Sequence, residues 1–194
     1  MKVNVMIGIP RWLDRVCAWP VMVYRKWKYG CAFRRIYLGE ETYAIVDVED
    51  YYRYGKFQWC MGGTGKKCYA ARGVRGADGK LRVTFLHRLI MNAPKGKLVD
   101  HKNGNSLDDR RANMRLATRK QNMQNRQKTS TKTSSRYIGV YFDRARKKWV
   151  AEINYRKRRV FLGRFEAEEA AARTYDEAAK RYRKDFARLN FPKN

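Results

Sequence analysis

Acidic residues are few in this chain: 18 Asp plus Glu stand against 45 Lys plus Arg in 194 residues, a formal net charge of +27. So lopsided a balance argues against an ordinary enzyme of small neutral substrates and points to a polyanionic partner. Cysteines are also sparse. Cys17, Cys31, Cys60 and Cys68 include no C-x-x-C pair, which excludes a zinc ribbon and a dense disulfide framework and suits reduced thiols in the cytoplasm. No apolar run approaches the ~18 residues of a membrane span. Residues 3–9 are apolar but end at Pro10-Arg11, too soon for a secretory signal. The expected partner is therefore neither a membrane nor a small molecule. The chain is nevertheless 44% hydrophobic and 13% aromatic, too rich for a solvated tail.

The texture changes along the chain. Residues 1–35 hold Trp12, Trp19 and Trp27 among basic residues and two prolines, with no sustained period, and read as an irregular extension. From 36 to 93, short aromatic and β-branched runs alternate with glycine-rich turns, which predicts a small antiparallel sheet. Asp47 with Glu49 and Asp50 predicts a short helix through Tyr54. Residues 127–136 contain no hydrophobe and have linker composition, so we expect a domain at 36–127, a linker at 128–135 and a second domain at 136–194.

Chemistry concentrates at 97–127. Leu98-Val99 predicts a strand delivering Asp100-His101, Asn103-Gly104 a turn, Asn113 to Leu116 a second strand, and Thr118 the cap of a helix to about Gln127. Histidine's ordinary pKa near 6.5 suits it to deprotonate a water at neutral pH. Oxygen donors such as Asp100 and Asn122 suit Mg²⁺ or Mn²⁺.

The order of these residues resembles the HNH nucleases of phage and intron-encoded homing endonucleases. The resemblance rests on Val99-Asp100-His101-x-Asn103-Gly104-Asn105, Leu107-Asp108-Asp109-Arg110-x-x-Asn113-x-Arg115, Thr118-x-x-x-Asn122 and the upstream Leu86-His87-Arg88-Leu89-Ile90. It implies a ββα-metal motif gripping one divalent cation, Mg²⁺ or Mn²⁺. His101 would be the general base and Asp100 with Asn122 the metal ligands. Asn113 would hold the His101 loop. His87 and Arg88 would be supporting residues, His87 being either a structural histidine or a neighbour of the phosphate.

Residues 137–163 read as three strands. In the second, Trp149, Ala151 and Ile153 share one face, and Lys148, Val150, Glu152 and Asn154 the other. Phe165 to Asp185 reads as one long helix with an alanine-rich face. This segment resembles the plant ethylene-responsive-factor (APETALA-type) DNA-binding domain. The resemblance is carried by Tyr137-Ile138-Gly139-Val140, Lys148-Trp149-Val150-Ala151-Glu152-Ile153, Phe161-Leu162-Gly163-x-Phe165, Glu168-Glu169-Ala170-Ala171-x-x-x-Tyr175-Asp176 and Leu189-Asn190-Phe191-Pro192. It implies a sheet that enters the major groove of duplex DNA. The groove-side and turn positions are Arg144, Arg146, Lys148, Asn154, Arg156, Arg158, Arg159 and Phe161. Ile138, Tyr141, Asn154 and Phe161 depart from the plant pattern, so a GC-box target is not carried over.

The expectation is an α+β protein: a small antiparallel-sheet unit leads into the ββα-metal motif, followed by a three-stranded antiparallel sheet backed by one long helix. Its function would be that of a metal-dependent DNA endonuclease of the homing type, acting as a monomer or weak homodimer in the cytoplasm of a bacterial host and encoded there or by a phage. The alternative is a nuclease-inactive, sequence-specific DNA-binding regulator.

Overall fold

The computed structural model describes residues 11–63, 67–124, 134–156 and 158–192. The chain divides after Ala117 into two compact units.

The first unit begins with helix α1, Arg11–Tyr29. The sequence reading gave an irregular extension here. Pro20 lies inside the helix and removes a backbone donor, which is the reason the pattern reads as broken. The apolar stripe of Trp12, Val16, Trp19, Val23 and Trp27 faces solvent and so follows no core. The opposite side holds to its own unit through polar contacts. Asp14 pairs with Arg34 at 3.1 Å, Arg15 lies over the Tyr52 ring, and Arg25 lies over Phe33.

Strands β1 (Arg34–Tyr37) and β2 (Tyr43–Val46) form an antiparallel hairpin, and α2 (Val48–Tyr54) follows. Asp47 does not cap α2 with its side chain; its carboxylate instead accepts the Arg111 amide at 2.8 Å. Strands β3 (Cys60–Gly62), β4 (Tyr69–Arg75) and β5 (Leu81–Phe85) make a three-stranded antiparallel sheet that leads into α3 (Leu86–Ile90). Strand β6 (Leu98–His101) pairs antiparallel with β7 (Met114–Ala117). Ile36, Ala44, Val46, Trp59, Leu86, Ile90 and Met114 close one core beneath these sheets. Removing their apolar area from water, at about 25 cal/mol per Å², is what holds such short elements together.

The second unit contains α4 (Arg119–Gln124), strands β8 (Val140–Asp143), β9 (Lys148–Tyr155) and β10 (Arg158–Phe165), and helix α5 (Glu168–Arg183). The expected helix end at 125–127 and the expected linker as far as residue 133 lie outside the described residues. The sheet order is β10-β9-β8, all antiparallel. As the alternation predicts, Ala151 and Ile153 are buried against Ala171, Ala172, Tyr175 and Ala179 of α5. Trp149 packs into the same core, edge-on to Phe142. Small alanines let the helix lie close to the strands. Gly139 shows how close: its φ is +73°, and a Cβ there would meet the Tyr175 ring and stand 2.6 Å from the Glu152 carbonyl. Only glycine combines that backbone with that contact.

Val150 departs from the simple reading. It belongs to the outer face yet is 1% exposed. Its cross-strand neighbours Tyr141 and Arg164 flank it on that same face. The end of the chain is clamped by Asp176, whose carboxylate accepts the amides of Asn190 (2.7 Å) and Phe191 (2.8 Å). Asn190 in turn accepts the Ile138 amide at 2.7 Å, so a buried acid on α5 ties the tail to the entry of the sheet.

Candidate active site and nucleic-acid interface

The β6–β7 hairpin places Asp100 and His101 side by side at the end of a strand, 4% and 6% exposed. The loop that follows is fixed by its own polar side chains. Gly104, at φ +79°, lets the chain turn so that its amide donates to the His101 carbonyl at 2.9 Å. Asn103 and Asn105 each accept the amide two residues on, at 2.9 and 3.0 Å. Asn113 spans the loop: its Oδ1 accepts the Asn103 amide at 3.1 Å and its Nδ2 donates to the Asp108 carbonyl at 2.8 Å. Asp108 is gripped by Arg110 through two bonds, 2.7 and 2.6 Å, and by Asn103 Nδ2 at 2.9 Å. Those contacts hold its carboxyl below the usual range against the opposing effect of burial.

Backbone bonds attach this loop to β2. The Ile45 amide donates to the Leu107 carbonyl and the Asp109 amide to the Ile45 carbonyl, each at 2.8 Å. Asp109 is fully buried, and its Oδ1 stands 2.9 Å from His101 Nε2. Burial pushes the Asp109 carboxyl up, with the His101 bond opposing it. Sequence reasoning assigned Asp109 no role. Two adjacent aspartates look alike in a sequence, and only the fold shows which one faces the imidazole.

Asp100 Oδ2 accepts Nε (2.8 Å) and Nη2 (2.6 Å) of Arg115, its register partner on β7, which sets the orientation of the carboxylate. A carboxylate oxygen is a hard donor and fits Mg²⁺ or Mn²⁺. Among the described residues no group of three or more His, Cys, Asp or Glu is arranged to hold a metal. The expected set of one carboxylate and one amide is of a different kind. Asn122 lies on α4 in the second unit, whereas Asp100 lies in the first. Helix α4 starts with a reciprocal cap: the Thr118 amide donates to Gln121 Oε1 at 2.9 Å and the Gln121 amide to Thr118 Oγ1 at 3.3 Å.

His87 and Arg88 sit on α3. Arg88 is committed to backbone, donating to the carbonyls of Lys97, Ala93 and Pro94. The His87 ring is 7% exposed and packs on Tyr69 at 4.9 Å, Phe85 at 5.7 Å and His101 at 5.6 Å between centroids. Its Nδ1 has no hydrogen-bond partner among the described residues. Burial, with a lesser push from His101 and Arg88, lowers its pKa from 6.5 to about 3. An unfolded chain therefore takes a proton on this imidazole below pH 6.5 while the folded one refuses it down to about 3. The unfolded state binds more protons across that window, so stability falls as pH falls through it. Each pH unit below 6.5 costs about 1.4 kcal/mol. Chemical denaturation at pH 7.5 and 4.5 should show His87→Phe losing about 2–3 kcal/mol less than wild type between the two pH values; equal losses would contradict the buried neutral state.

On the second unit, Arg144, Arg146, Lys148, Asn154, Arg156, Arg158, Arg159 and Phe161 are all exposed. Phe161 is 51% exposed, with the Arg164 guanidinium 4.9 Å over its ring. Tyr141 donates to Glu152 at 2.9 Å on the same outer face. Arg146 pairs with Asp143 at 3.3 Å and Lys148 with Glu166 at 3.0 Å, both exposed pairs of little strength that a phosphate can replace. Asn154 and Arg156 line one cavity of this unit with Glu152, Arg183 and Arg188.

Over 161 residues the chain is 29% identical to an uncharacterized HNH endonuclease of Acanthamoeba polyphaga mimivirus, which covers 78% of this chain and 76% of that protein. It is 54% identical over 59 residues to an AP2/ERF and B3 domain-containing protein of Oryza sativa subsp. japonica, 30% of this chain and 16% of that protein. It is 45% identical over 71 residues to an ethylene-responsive transcription factor of Arabidopsis thaliana, 34% of this chain and 28% of that protein. The chain thus spans about a sixth of the rice relative and about a quarter of the Arabidopsis one. No helix among the described residues is long and apolar enough to cross a membrane. Residues 85–124 match the HNH endonuclease family model and residues 135–185 the AP2 domain model, so this polypeptide carries a segment similar to HNH endonucleases followed by one similar to AP2 domains.

Proposed function

We propose that the chain is a metal-dependent endonuclease that hydrolyses a phosphodiester of duplex DNA and is brought to its target by the AP2 module. The observation that carries this reading is the buried Asp100-His101 pair on β6, beside a loop that Asn113 ties at both ends. His101 takes a proton from water, the hydroxide oxygen bonds to phosphorus, and the bond to the 3′-oxygen breaks as that oxygen gains a proton from solvent. The products are 5′-phosphate and 3′-hydroxyl ends. Asp100 and Asn122 would hold the ion, Mg²⁺ or Mn²⁺, and Asn113 keeps the His101 loop in place. When bound, the ion supplies positive charge against the phosphate oxygens and the leaving 3′-oxygen.

The setting that suits this reading is a homing-type nuclease of a mobile element or phage, working in the cytoplasm as a monomer or weak homodimer. The mimivirus relative is compatible with a viral origin. The test is nicking of supercoiled plasmid by the full chain. Relaxed circles should accumulate with Mg²⁺ or Mn²⁺ and cease with EDTA; no cleavage with either ion across plasmids that the protein binds would refute the enzyme.

A further inference from the structure

Proton abstraction requires more of His101 than its presence. A neutral imidazole carries one proton, and only its other nitrogen can accept a second. The fold decides which nitrogen that is. His101 Nε2 lies 2.9 Å from Asp109 Oδ1, inside a layer where Asp109 is fully buried and His101 is 6% exposed. Asp109 does not reach this position by chance of rotamer. Its amide is bonded to the Ile45 carbonyl, and its neighbour Asp108 is held by Arg110 and Asn103. Asp109 Oδ2 is buried and has no hydrogen-bond partner among the described residues. Among the described residues, His101 is the side chain that meets this carboxylate, which is shut away from water. Tyr69, whose ring is 6.4 Å from that of His101, and His87 at 5.6 Å wall the imidazole in.

We propose that Asp109 is a positioning residue: its carboxylate keeps the proton of His101 on Nε2 and so makes Nδ1 the nitrogen that takes the proton from water. The same carboxylate, 2.9 Å from Nε2, fixes the orientation of the ring. Partners of this kind are worth about 10–100-fold in activity when removed. The inference rests on the nuclease reading above, and the experiment separates the two.

With imidazole-¹⁵N-labelled full-length protein at pH 8, the chain gives signals from two histidines only. His101→Ala identifies its pair by their loss. In wild type, the His101 signals should show a protonated Nε2 and a pyridine-like Nδ1; in Asp109→Ala the two tautomers should mix. In plasmid nicking, Asp109→Ala should lower kcat roughly 10–100-fold with KM held within about twofold. Asp109→Asn keeps an oxygen able to accept the Nε2 proton, so it should keep the tautomer and recover part of kcat. Melting curves check that each variant is folded, and the isosteric asparagine gives the result if the alanine variant is not. A single unchanged tautomer in folded Asp109→Ala, or wild-type kcat in that variant while His101→Ala is inactive, overturns the proposal. Full activity of His101→Ala overturns the nuclease reading instead.

Discussion

Replacing His101 by alanine should lower kcat for plasmid nicking about 10²–10⁴-fold, the contribution of a well-placed general base, while the dissociation constant for uncut duplex stays within about twofold. The two quantities separate because different parts of the chain carry them. His101 is 6% exposed and sits within a hairpin whose neighbours are other side chains, so it contributes little surface to a bound duplex. The exposed cations of the AP2 unit are untouched by the change. The measurement is single-turnover cleavage at saturating protein alongside fluorescence anisotropy with EDTA present. A loss of affinity equal to the loss of rate would mean that His101 serves binding or the integrity of the loop. The alanine leaves the buried Asp109 carboxylate without its imidazole whichever outcome holds, so a melting curve must first show that the variant is folded at the assay temperature.

The reach of sequence reasoning differs between the two units for a physical reason. In the AP2 unit, strand alternation and helix periodicity are direct images of burial. The face of Ala151 and Ile153 on β9 and the alanine-rich face of α5 are legible in the sequence because one face of each element meets one core. Asp176 was missed although it left a signal. An acid lying in the buried arc of an alanine-rich helix must find donors, and the Asn190 and Phe191 amides supply them. The loop after His101 was legible as a motif but not as a geometry. Asn103, Asn105, Asp108, Asn113 and Arg110 bond among themselves across ten residues, a network without period. Helix α1 carried a signal in the helical spacing of Trp12, Val16, Trp19, Val23 and Trp27, and Pro20 within it masked that signal.

Affinity for DNA should fall about 10³-fold between 50 and 200 mM salt if six cations of the AP2 unit contact phosphates. Arg144, Arg146, Lys148, Arg156, Arg158 and Arg159 are the exposed groups at the turns and on the outer strands. Each phosphate neutralised releases counterions and adds roughly 0.9 to the slope of log affinity against log salt, so six give a slope near −5. Replacing Arg144, Arg156, Arg158 and Arg159 together by alanine should reduce that slope by about 3 to 4 and leave only a roughly tenfold loss over the same salt range. Affinity at low salt falls as well, whereas the folded unit is unchanged, since none of the four is buried. Phe161 makes the complementary case. A half-exposed ring beneath a guanidinium carries no charge to a phosphate, so Phe161→Ala should weaken binding without altering the slope. If the fourfold variant keeps the wild-type slope, the phosphates lie against another basic face of the chain. If Phe161→Ala changes the slope, Arg164 has moved with it, and the face must be read as a coupled pair rather than as independent contacts.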